Sequence, residues 1–460
     1  MKSFKNRWSL LVCWFSLFLF LSITIAGGKW KRHTVIKSDA AGYYVYLPSL
    51  FIYNDILKCN FYPHVDSVYN PADGVVYYAV QQNHETENMY FKYTYGVAVF
   101  EAPLFFVAHA ITLLTDQYPA DGYSAFYQLS VALSTVLFSF LGLLVLRKFL
   151  LSFFDDRVTA ITVFAIGLGT NFFAHAITQP GNSHIYLFFL FAVLLYSTHR
   201  WYQSFSWKQS SFLAFTIGLC VVTRATTVFI IFFPLLWVFN SKQPTAAFDS
   251  IIKNHGRKIF YLLIVIMTLF LVQFIYWKIS TGHWFFYTYK NEHFNFSNCQ
   301  IVNGLFSYRK GWFVYTPLAL LGFLGAFLLC KNEKLKFYLL PFLIYFSVTL
   351  YVVFCWWQWY YGGSFGCRVM IESLALLALP MAALVEFILQ QNQLVRNFSF
   401  GAIALLISLN LFQTAQYSKG IIHWQKMNEE YYWRTFGKWN VSAQDKVLLN
   451  QTEELTTEKK

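Results

Sequence analysis

A single carboxylate at the start of an aromatic segment is the first candidate for chemistry in this chain. Asp39 stands in SDAAGYYVYLPSLF, shortly after an apolar run long enough to cross a bilayer. An acid held at the membrane surface can act as a general base that takes a proton from a hydroxyl. The alternative is structural, because Ser38 or Asp39 could cap the start of a helix over residues 40–53. These residues alone leave both interpretations open.

The second candidate is a lysine among tyrosines, at the point where the chain returns to an apolar stretch. Lys92 lies in NMYFKYTYG, between Tyr90 and Tyr93. Its ammonium suits a phosphate as a compact point charge. The alternative is an interfacial lysine whose ammonium extends to the lipid headgroups. Glu101, deeper in the following apolar run, is a lone carboxylate that must be paired or protonated.

Further polar candidates stand at the ends of apolar runs. His175 and His184 bracket ITQPGNS, and Arg224 stands in CVVTRATTVF. No acidic or cysteine partner stands at ligand spacing from the histidines, so the sequence predicts no metal and no cofactor. His184 is a candidate for hydrogen bonding to a sugar or phosphate, and Arg224 suits a bidentate phosphate contact. The alternatives are satisfied interfacial histidines and a loop charge at the headgroups.

A glycine-rich segment, WWQWYYGGSFGCRVMIE, carries the last candidate. Its glycines allow the backbone to approach a ligand or another helix closely. Arg368 then opens a helix, where the helix dipole disfavours a cation unless the cation meets an anion or a carboxylate. Arg309 and Lys310, in YRKGWFVYTP, add positive charge. The alternative is a belt of interfacial aromatic residues with a structural ion pair between Arg368 and Glu372, one helical turn apart.

The composition places these candidates in a membrane protein. Of the 460 residues 57% are hydrophobic and only 12% are charged, at a mean hydropathy of +0.43, whereas a soluble domain has about a quarter charged residues. The sequence therefore predicts an all-α, polytopic transmembrane helix bundle of about 11–13 helices. Eleven apolar runs are of spanning or nearly spanning length, at about 9–28, 123–146, 158–176, 183–198, 210–223, 225–239, 259–280, 316–330, 337–355, 369–388 and 397–416.

The net charge of +13 is a topology signal here, since the basic residues lie mostly in short segments between apolar runs. The first apolar run follows basic residues and ends in Ala26 and Gly27, as a signal peptide does, but its length of about 20 residues favours an uncleaved first helix. With that helix and the N-terminus inside, all these basic segments fall on the cytoplasmic side. This topology requires that the segment 93–115 does not cross the membrane a single time. We therefore expect a juxtamembrane or re-entrant element there, or two short helices. The loops 29–92, 281–315 and 356–368 then lie outside.

Two further expectations concern organisation. We predict one transmembrane domain over 1–416 and a polar, outward-facing tail over 417–460, frayed over its last stretch, QTEELTTEKK. The seven cysteines show no paired spacing, so the sequence predicts no disulfide framework.

With these motifs in this order, the chain resembles integral membrane glycosyltransferases of the GT-C type. It is most similar to relatives of bacterial protein O-mannosyltransferases and lipid A aminoarabinose transferases. The resemblance covers roughly residues 10–420. It is carried by SDAAGYY with Asp39, KYTYG at 92–96, TRAT at 223–226, RKGWFVYTP and GGSFGCR.

The resemblance implies a sugar donor on a polyprenyl phosphate, inversion at the anomeric carbon, and a glycan, lipid or protein acceptor. Asp39 would be the catalytic base, while Lys92, Arg224 and Arg368 would hold the departing phosphate. The protein would lie in the cell inner membrane and bind no nucleic acid.

The motifs also depart from the family pattern. Asp39 is followed by two alanines where many relatives have a second acid, and Lys92 is not followed by a Pro-Pro pair. The donor and acceptor of those relatives therefore do not transfer to this chain. Another carboxylate, Glu85 or Glu87, becomes a candidate, and we place Glu85 with Lys92, His184, Arg224 and Arg368 among the substrate-binding residues.

Two other functions compete with a glycosyltransferase. One is a transporter or flippase for a lipid-linked or anionic substrate, and the other is a non-catalytic assembly protein of an envelope pathway. A transporter typically shows repeated halves with polar residues at the midplane. The sequence has no internal repeat and its charged candidates gather on one side, which favours an enzyme.

Overall fold

A computed structural model describes residues 7–74, 78–238 and 244–450. The predicted all-α helix bundle is confirmed. The stretch 451–460, which the sequence predicts to be frayed, lies outside the described residues. The α-helices are α1 (Trp8–Gly27), α2 (Ser38–Tyr44), α3 (Tyr46–Phe51), α4 (Tyr62–Tyr69), α5 (Gly96–Thr115), α6 (Ala125–Leu150), α7 (Asp156–Gly169), α8 (Asn171–Thr178), α9 (Ser183–Ser204), α10 (Trp207–Thr223), α11 (Phe232–Leu236), α12 (Pro244–Thr281), α13 (Ile301–Phe306), α14 (Trp312–Tyr315), α15 (Leu318–Leu329), α16 (Leu339–Phe354), α17 (Leu374–Leu389), α18 (Gln393–Ser418), α19 (Glu429–Thr435) and α20 (Ala443–Val447). Short 3-10 helices cover Ala225–Ile231, Lys336–Tyr338 and Arg368–Met370, and one hairpin pairs β1 (Val80–Gln82) with β2 (Met89–Phe91).

The chain is a multi-pass membrane protein. Within the described residues, six helices are long and apolar enough to cross a membrane, and a seventh span results if the bent pair α7 and α8 counts as one. All eleven predicted apolar runs contain helices, but several of these helices are short or broken. Fewer helices than the predicted 11–13 are therefore long enough to cross a membrane. The break between α7 and α8 is at Thr170, whose extended backbone interrupts the helix at a bend of 57°.

Within the segment 93–115, residues 96–115 form one continuous helix, α5, so the alternative of two short helices is wrong. By length and composition α5 could cross a membrane. Both of its flanks, however, contact the segment that follows Asp39. Tyr46 donates a hydrogen bond to the Tyr93 carbonyl before α5, and Tyr44 donates one to the Gly122 carbonyl after it. These contacts favour a juxtamembrane or re-entrant α5.

The chain divides into two compact units. Unit I comprises residues 1–16, 143–178 and 293–460, and unit II comprises residues 17–142 and 179–292. The core of unit II is aromatic, with Tyr44, Phe105 and Tyr123 fully buried together. This core joins α2, α5 and the start of α6, and it supports the hairpin.

Unit I contains a feature that the sequence did not predict. Cys299 and Cys355 form a disulfide across 56 residues of chain, whereas Cys59 and Cys367 are free. Their wide separation concealed the pair, because sequence spacing alone reveals only closely paired cysteines.

The C-terminal segment of unit I contains α19 and α20. The Tyr431 side chain of α19 is fully buried and packs in a cluster with Tyr315 and Phe365. The domain boundary between 416 and 417 stays a prediction.

Candidate active site

The hairpin of unit II sets the register of the site. Val80 pairs with Phe91, and the Lys92 N–H donates to the Ala79 carbonyl at 2.9 Å. Continuing this antiparallel register by one residue places Tyr78 opposite Tyr93. The hairpin thus brings two phenols together directly before α5.

Asp39 lies in the first turn of α2, where its Oδ1 accepts hydrogen bonds from Tyr78 and Tyr93, each at 2.6 Å. The two phenol oxygens lie 3.1 Å apart. The backbone that precedes Asp39 is held by Gln128 of α6. The Gln128 Oε1 atom accepts hydrogen bonds from the N–H groups of Val35 and Ile36. The N-cap of α2 is Lys37, which makes no side-chain capping bond. The alternative in which Ser38 or Asp39 is the cap of this helix is therefore wrong.

Lys92 follows β2 and is 5% exposed. Its Nζ lies 2.6 Å from Glu292 Oε1. The ammonium also lies 4.5 Å from the ring centre of Tyr78 and 5.2 Å from that of Tyr289, within the range of a cation–π interaction. Tyr78 therefore touches the candidate base with its hydroxyl and the candidate phosphate ligand with its ring.

Arg224 follows the last residue of α10, and its guanidinium Nη1 lies 3.1 Å from Nε2 of His184. His184 is the second residue of α9 and is 2% exposed. Because an arginine has only donors, His184 accepts this bond through an unprotonated Nε2. The neutral imidazole thus orients the guanidinium without repelling it.

Gly96 brings the hairpin and α10 together. A Cβ atom at Gly96 would lie 2.5 Å from the Cα atom of Thr223, the residue before Arg224. The Thr94 hydroxyl donates to the Val222 carbonyl in the same contact. The start of α5 therefore packs directly on the end of α10, which places Lys92 and Arg224 in one region.

We predict that Gly96→Ala destabilises the protein, since the added methyl group meets backbone that cannot rotate away. Overpacking of this kind typically lowers the free energy of unfolding by about 1–3 kcal/mol. Thermal melting of the purified protein in detergent measures the loss. Gly401→Ala in α18 is the control, because a Cβ there meets no atom within 4 Å. Equal melting of the two variants would contradict the close contact.

Tyr289 shows that the charged candidates share one environment. Burial raises the pKa of the Tyr289 phenol, and neighbouring Tyr43 and the Asp39 carboxylate raise it further. Arg224 lowers the pKa of Tyr289, whereas Glu292 raises it. Together with the Lys92 contact, this gathers four predicted residues, Asp39, Lys92, His184 and Arg224, in one region of unit II.

No protein-family model and no curated protein matches the chain. Solved structures do match. The Archaeoglobus fulgidus oligosaccharyltransferase in its apo form is 12% identical over 98% of this chain and 60% of that chain, with a TM-score of 0.53. The fold is of the GT-C type.

Two further structures show the same GT-C fold. The same oligosaccharyltransferase, tethered with an acceptor peptide containing the NVT sequon via a disulfide bond, is 13% identical over 95% of this chain and 58% of that chain (TM-score 0.55). AglB from the same organism, in complex with an inhibitory peptide and a dolichol-phosphate, is 11% identical over 95% and 59% (TM-score 0.50). At such identities the likeness concerns the fold, and the chain spans about three fifths of the length of these structures.

Glu85 and Arg368, the two other residues predicted to bind substrate, stay predictions. Glu85 is on the loop between β1 and β2, where its 74% exposed side chain lies 3.3 Å from His283 Nε2. Arg368 belongs to unit I, as does His175, whose Nε2 lies 3.3 Å from the Phe365 carbonyl.

Sequence reasoning missed four members of the site. The phenols of Tyr78 and Tyr93 bind Asp39, Tyr289 lies among the charges, and Glu292 pairs with Lys92. The available signal was the clustering of tyrosines near 78, 93 and 289, together with an acid in the loop 281–315. No group of three or more His, Cys, Asp or Glu side chains is arranged to hold a metal ion in the described ranges.

Proposed function

We propose that the chain is a glycosyltransferase that moves a sugar from a polyprenyl-phosphate donor to an envelope acceptor on the extracytoplasmic side of the cell inner membrane. The observation that carries the proposal is the grouping of Asp39, Lys92, His184 and Arg224 around Tyr78 and Tyr289 in a GT-C fold. A carboxylate beside several cations suits a reaction in which a hydroxyl loses a proton while a phosphate departs.

Asp39 takes the role of general base in this proposal. The two phenol donors on its Oδ1 hold the carboxylate in one orientation. Burial first, and then the Asp39 carboxylate, raise the pKa of the Tyr93 phenol well above its usual range. Tyr93 therefore remains a neutral hydrogen-bond donor at physiological pH, and the proton that Asp39 receives comes from the acceptor hydroxyl.

The cations act on the leaving group. The acceptor oxygen forms a bond to the anomeric carbon as the bond from that carbon to the phosphate oxygen breaks, with inversion. The products are the glycosylated acceptor and the polyprenyl phosphate, and the displaced proton resides on Asp39. Arg224 and Lys92 offset the negative charge on the departing phosphate, and such groups typically contribute a few kcal/mol each.

The orientation in the membrane rests on two observations. Basic residues gather in the segments predicted to face the cytoplasm. Cys299, in a loop predicted to face outside, forms a disulfide with Cys355, at the end of the apolar run 337–355 that is predicted to face outside. Disulfides persist in oxidising compartments such as the periplasm. Both support an extracytoplasmic site.

Purified protein in liposomes, supplied with radiolabelled polyprenyl-phosphate sugars and an extract of envelope acceptors, tests the proposal. We expect label to leave the lipid fraction, unlabelled polyprenyl phosphate to accumulate in equal amount, and the glycosidic bond formed to be inverted. Protein-free liposomes are the control. Movement of intact labelled lipid across the bilayer without cleavage would instead assign a flippase.

We predict that Tyr93→Phe shifts the pH dependence of transfer. The base must be ionised, so activity rises with pH through the acidic limb of the kcat/KM profile. Removing a donor to the carboxylate disfavours its charged form, so this limb should move to higher pH by about one unit.

Tyr95→Phe is the matched control, since the Tyr95 hydroxyl donates to the Leu269 carbonyl and not to Asp39. Its profile should coincide with that of the wild type. An unshifted Tyr93→Phe profile would mean that the phenol does not act on the base.

A further inference from the structure

A cavity of about 650 Å³ lies in unit II between α9, α10 and α12. Its volume is in the range of small-molecule sites. The polar part of its wall includes Arg200, Lys208, and the hydroxyls of Ser211 and Tyr261, which lie 3.0 Å apart. The exposed rings of Phe212 and Phe215 form part of the apolar wall.

Polarity changes along the cavity in one direction. Lys208 is the second residue of α10 and Arg200 is close to the end of α9, so both cations stand at the turn that joins these helices. Phe215 follows Lys208 by seven residues, a rise of about 10 Å along α10. The cavity thus has a cationic end at the turn and an aromatic wall deeper in the apolar part of the helices.

The cationic end carries a charge that the protein does not balance locally. The segment 184–248 contains no Asp or Glu. In the described part of the chain, neither Arg200 nor Lys208 forms an ion pair, and the Arg200 guanidinium donates only to the Gln203 amide oxygen at 3.2 Å. Exposed cations at the rim of an apolar cavity complement an anionic headgroup with attached acyl chains.

The cavity is separate from the candidate active site. Arg224 follows the C-terminal end of α10, whereas Lys208 is near its N-terminal end. Their separation of 16 positions corresponds to a rise of about 24 Å. The predicted topology places the turn between α9 and α10 on the cytoplasmic side.

We propose that this cavity binds an acidic glycerophospholipid of the cytoplasmic leaflet. Arg200 and Lys208 contact the headgroup phosphate, the Ser211 and Tyr261 hydroxyls reach the glycerol ester region, and the acyl chains follow Phe212 and Phe215. Basic pockets between transmembrane helices on the cytoplasmic side typically bind anionic headgroups in this way. This binding does not depend on the transfer reaction proposed above.

The test measures lipid binding to the full-length protein in detergent micelles. Phosphatidylglycerol and phosphatidylcholine with identical acyl chains are added, and bound lipid is counted by native mass spectrometry. We expect one phosphatidylglycerol to bind selectively and its affinity to fall as salt rises. Arg200→Gln with Lys208→Gln should weaken that binding about 30-fold, from the usual contribution of two basic residues at an anionic lipid surface.

The control is Lys331→Gln with Lys334→Gln, which removes two exposed cytoplasmic cations outside the cavity and should bind like the wild type. Arg200→Lys with Lys208→Arg keeps both charges and should retain binding, which separates lost contacts from misfolding. Undiminished binding by the double Gln variant, equal binding of phosphatidylcholine, or saturation of the site by inorganic phosphate alone would each overturn the proposal.

Discussion

Replacing Asp39 by Asn is expected to lower kcat for sugar transfer by about 10²–10⁴-fold, the usual contribution of a positioned general base. The amide keeps the shape of the side chain and can still accept the phenol hydrogen bonds of Tyr78 and Tyr93. It cannot take up the proton of the acceptor hydroxyl. The variant should therefore fold and bind the donor normally while the chemical step fails.

Initial rates with a saturating polyprenyl-phosphate sugar in liposomes measure this loss, and donor binding is followed separately. Asp73→Asn is the matched control, since Asp73 is an exposed acid of the same predicted outer segment, 29–92, and its change removes the same charge. Wild-type kcat in Asp39→Asn would remove Asp39 as the base. An equal loss in Asp73→Asn would point to the net charge of the segment instead.

Much of the architecture was accessible from the sequence because bilayer burial imposes a strong pattern. Each of the eleven apolar runs contains helix in the structure, since a backbone in hydrocarbon must satisfy its hydrogen bonds internally. The number of long spans was less accessible. A single residue such as Thr170 can break a run without changing its hydropathy.

The polar candidates were accessible for a related reason, since an ionisable residue near hydrocarbon is costly and stands out. Asp39, Lys92, His184 and Arg224 were found in this way. Their partners were not, because Tyr78 and Glu292 are ordinary loop residues in the sequence. Only the hairpin register places Tyr78 opposite Tyr93, and only the folded loop brings Glu292 to Lys92.

The carboxylate beside Lys92 was equally inaccessible. Glu85 is close to Lys92 along the chain, yet it falls on the hairpin loop and its side chain lies 3.3 Å from His283 Nε2. Its assignment to substrate binding stays a prediction. Glu292, two hundred residues away in sequence, has the contact with Lys92. Short-range proximity in sequence is a weak guide in a hairpin, whose loop carries residues away from its base.

Arg224→Gln should lower kcat/KM for the lipid-linked donor by about 10²–10³-fold, the effect typical of removing one group that stabilises transition-state charge. The guanidinium is held by His184 and lies close enough to the Asp39 environment to affect the same tyrosine, Tyr289. Glutamine can still hydrogen-bond to His184, so the local packing should survive. What is lost is the positive charge that faces the departing phosphate.

Arg224→Lys separates charge from geometry in the same experiment. Lysine keeps the charge but lacks the planar fork that binds two phosphate oxygens at once, so its kcat/KM should fall between those of the wild type and the Gln variant. Arg32→Gln is the control, because Arg32 is an exposed cation of the predicted outer segment 29–92 whose guanidinium donates to the Gly27 carbonyl. If Arg224→Gln and Arg32→Gln lose equal activity, the effect is long-range attraction of the anionic donor. A loss confined to Arg224, graded from Lys to Gln, means that the guanidinium contacts the phosphate as the glycosidic bond to it breaks.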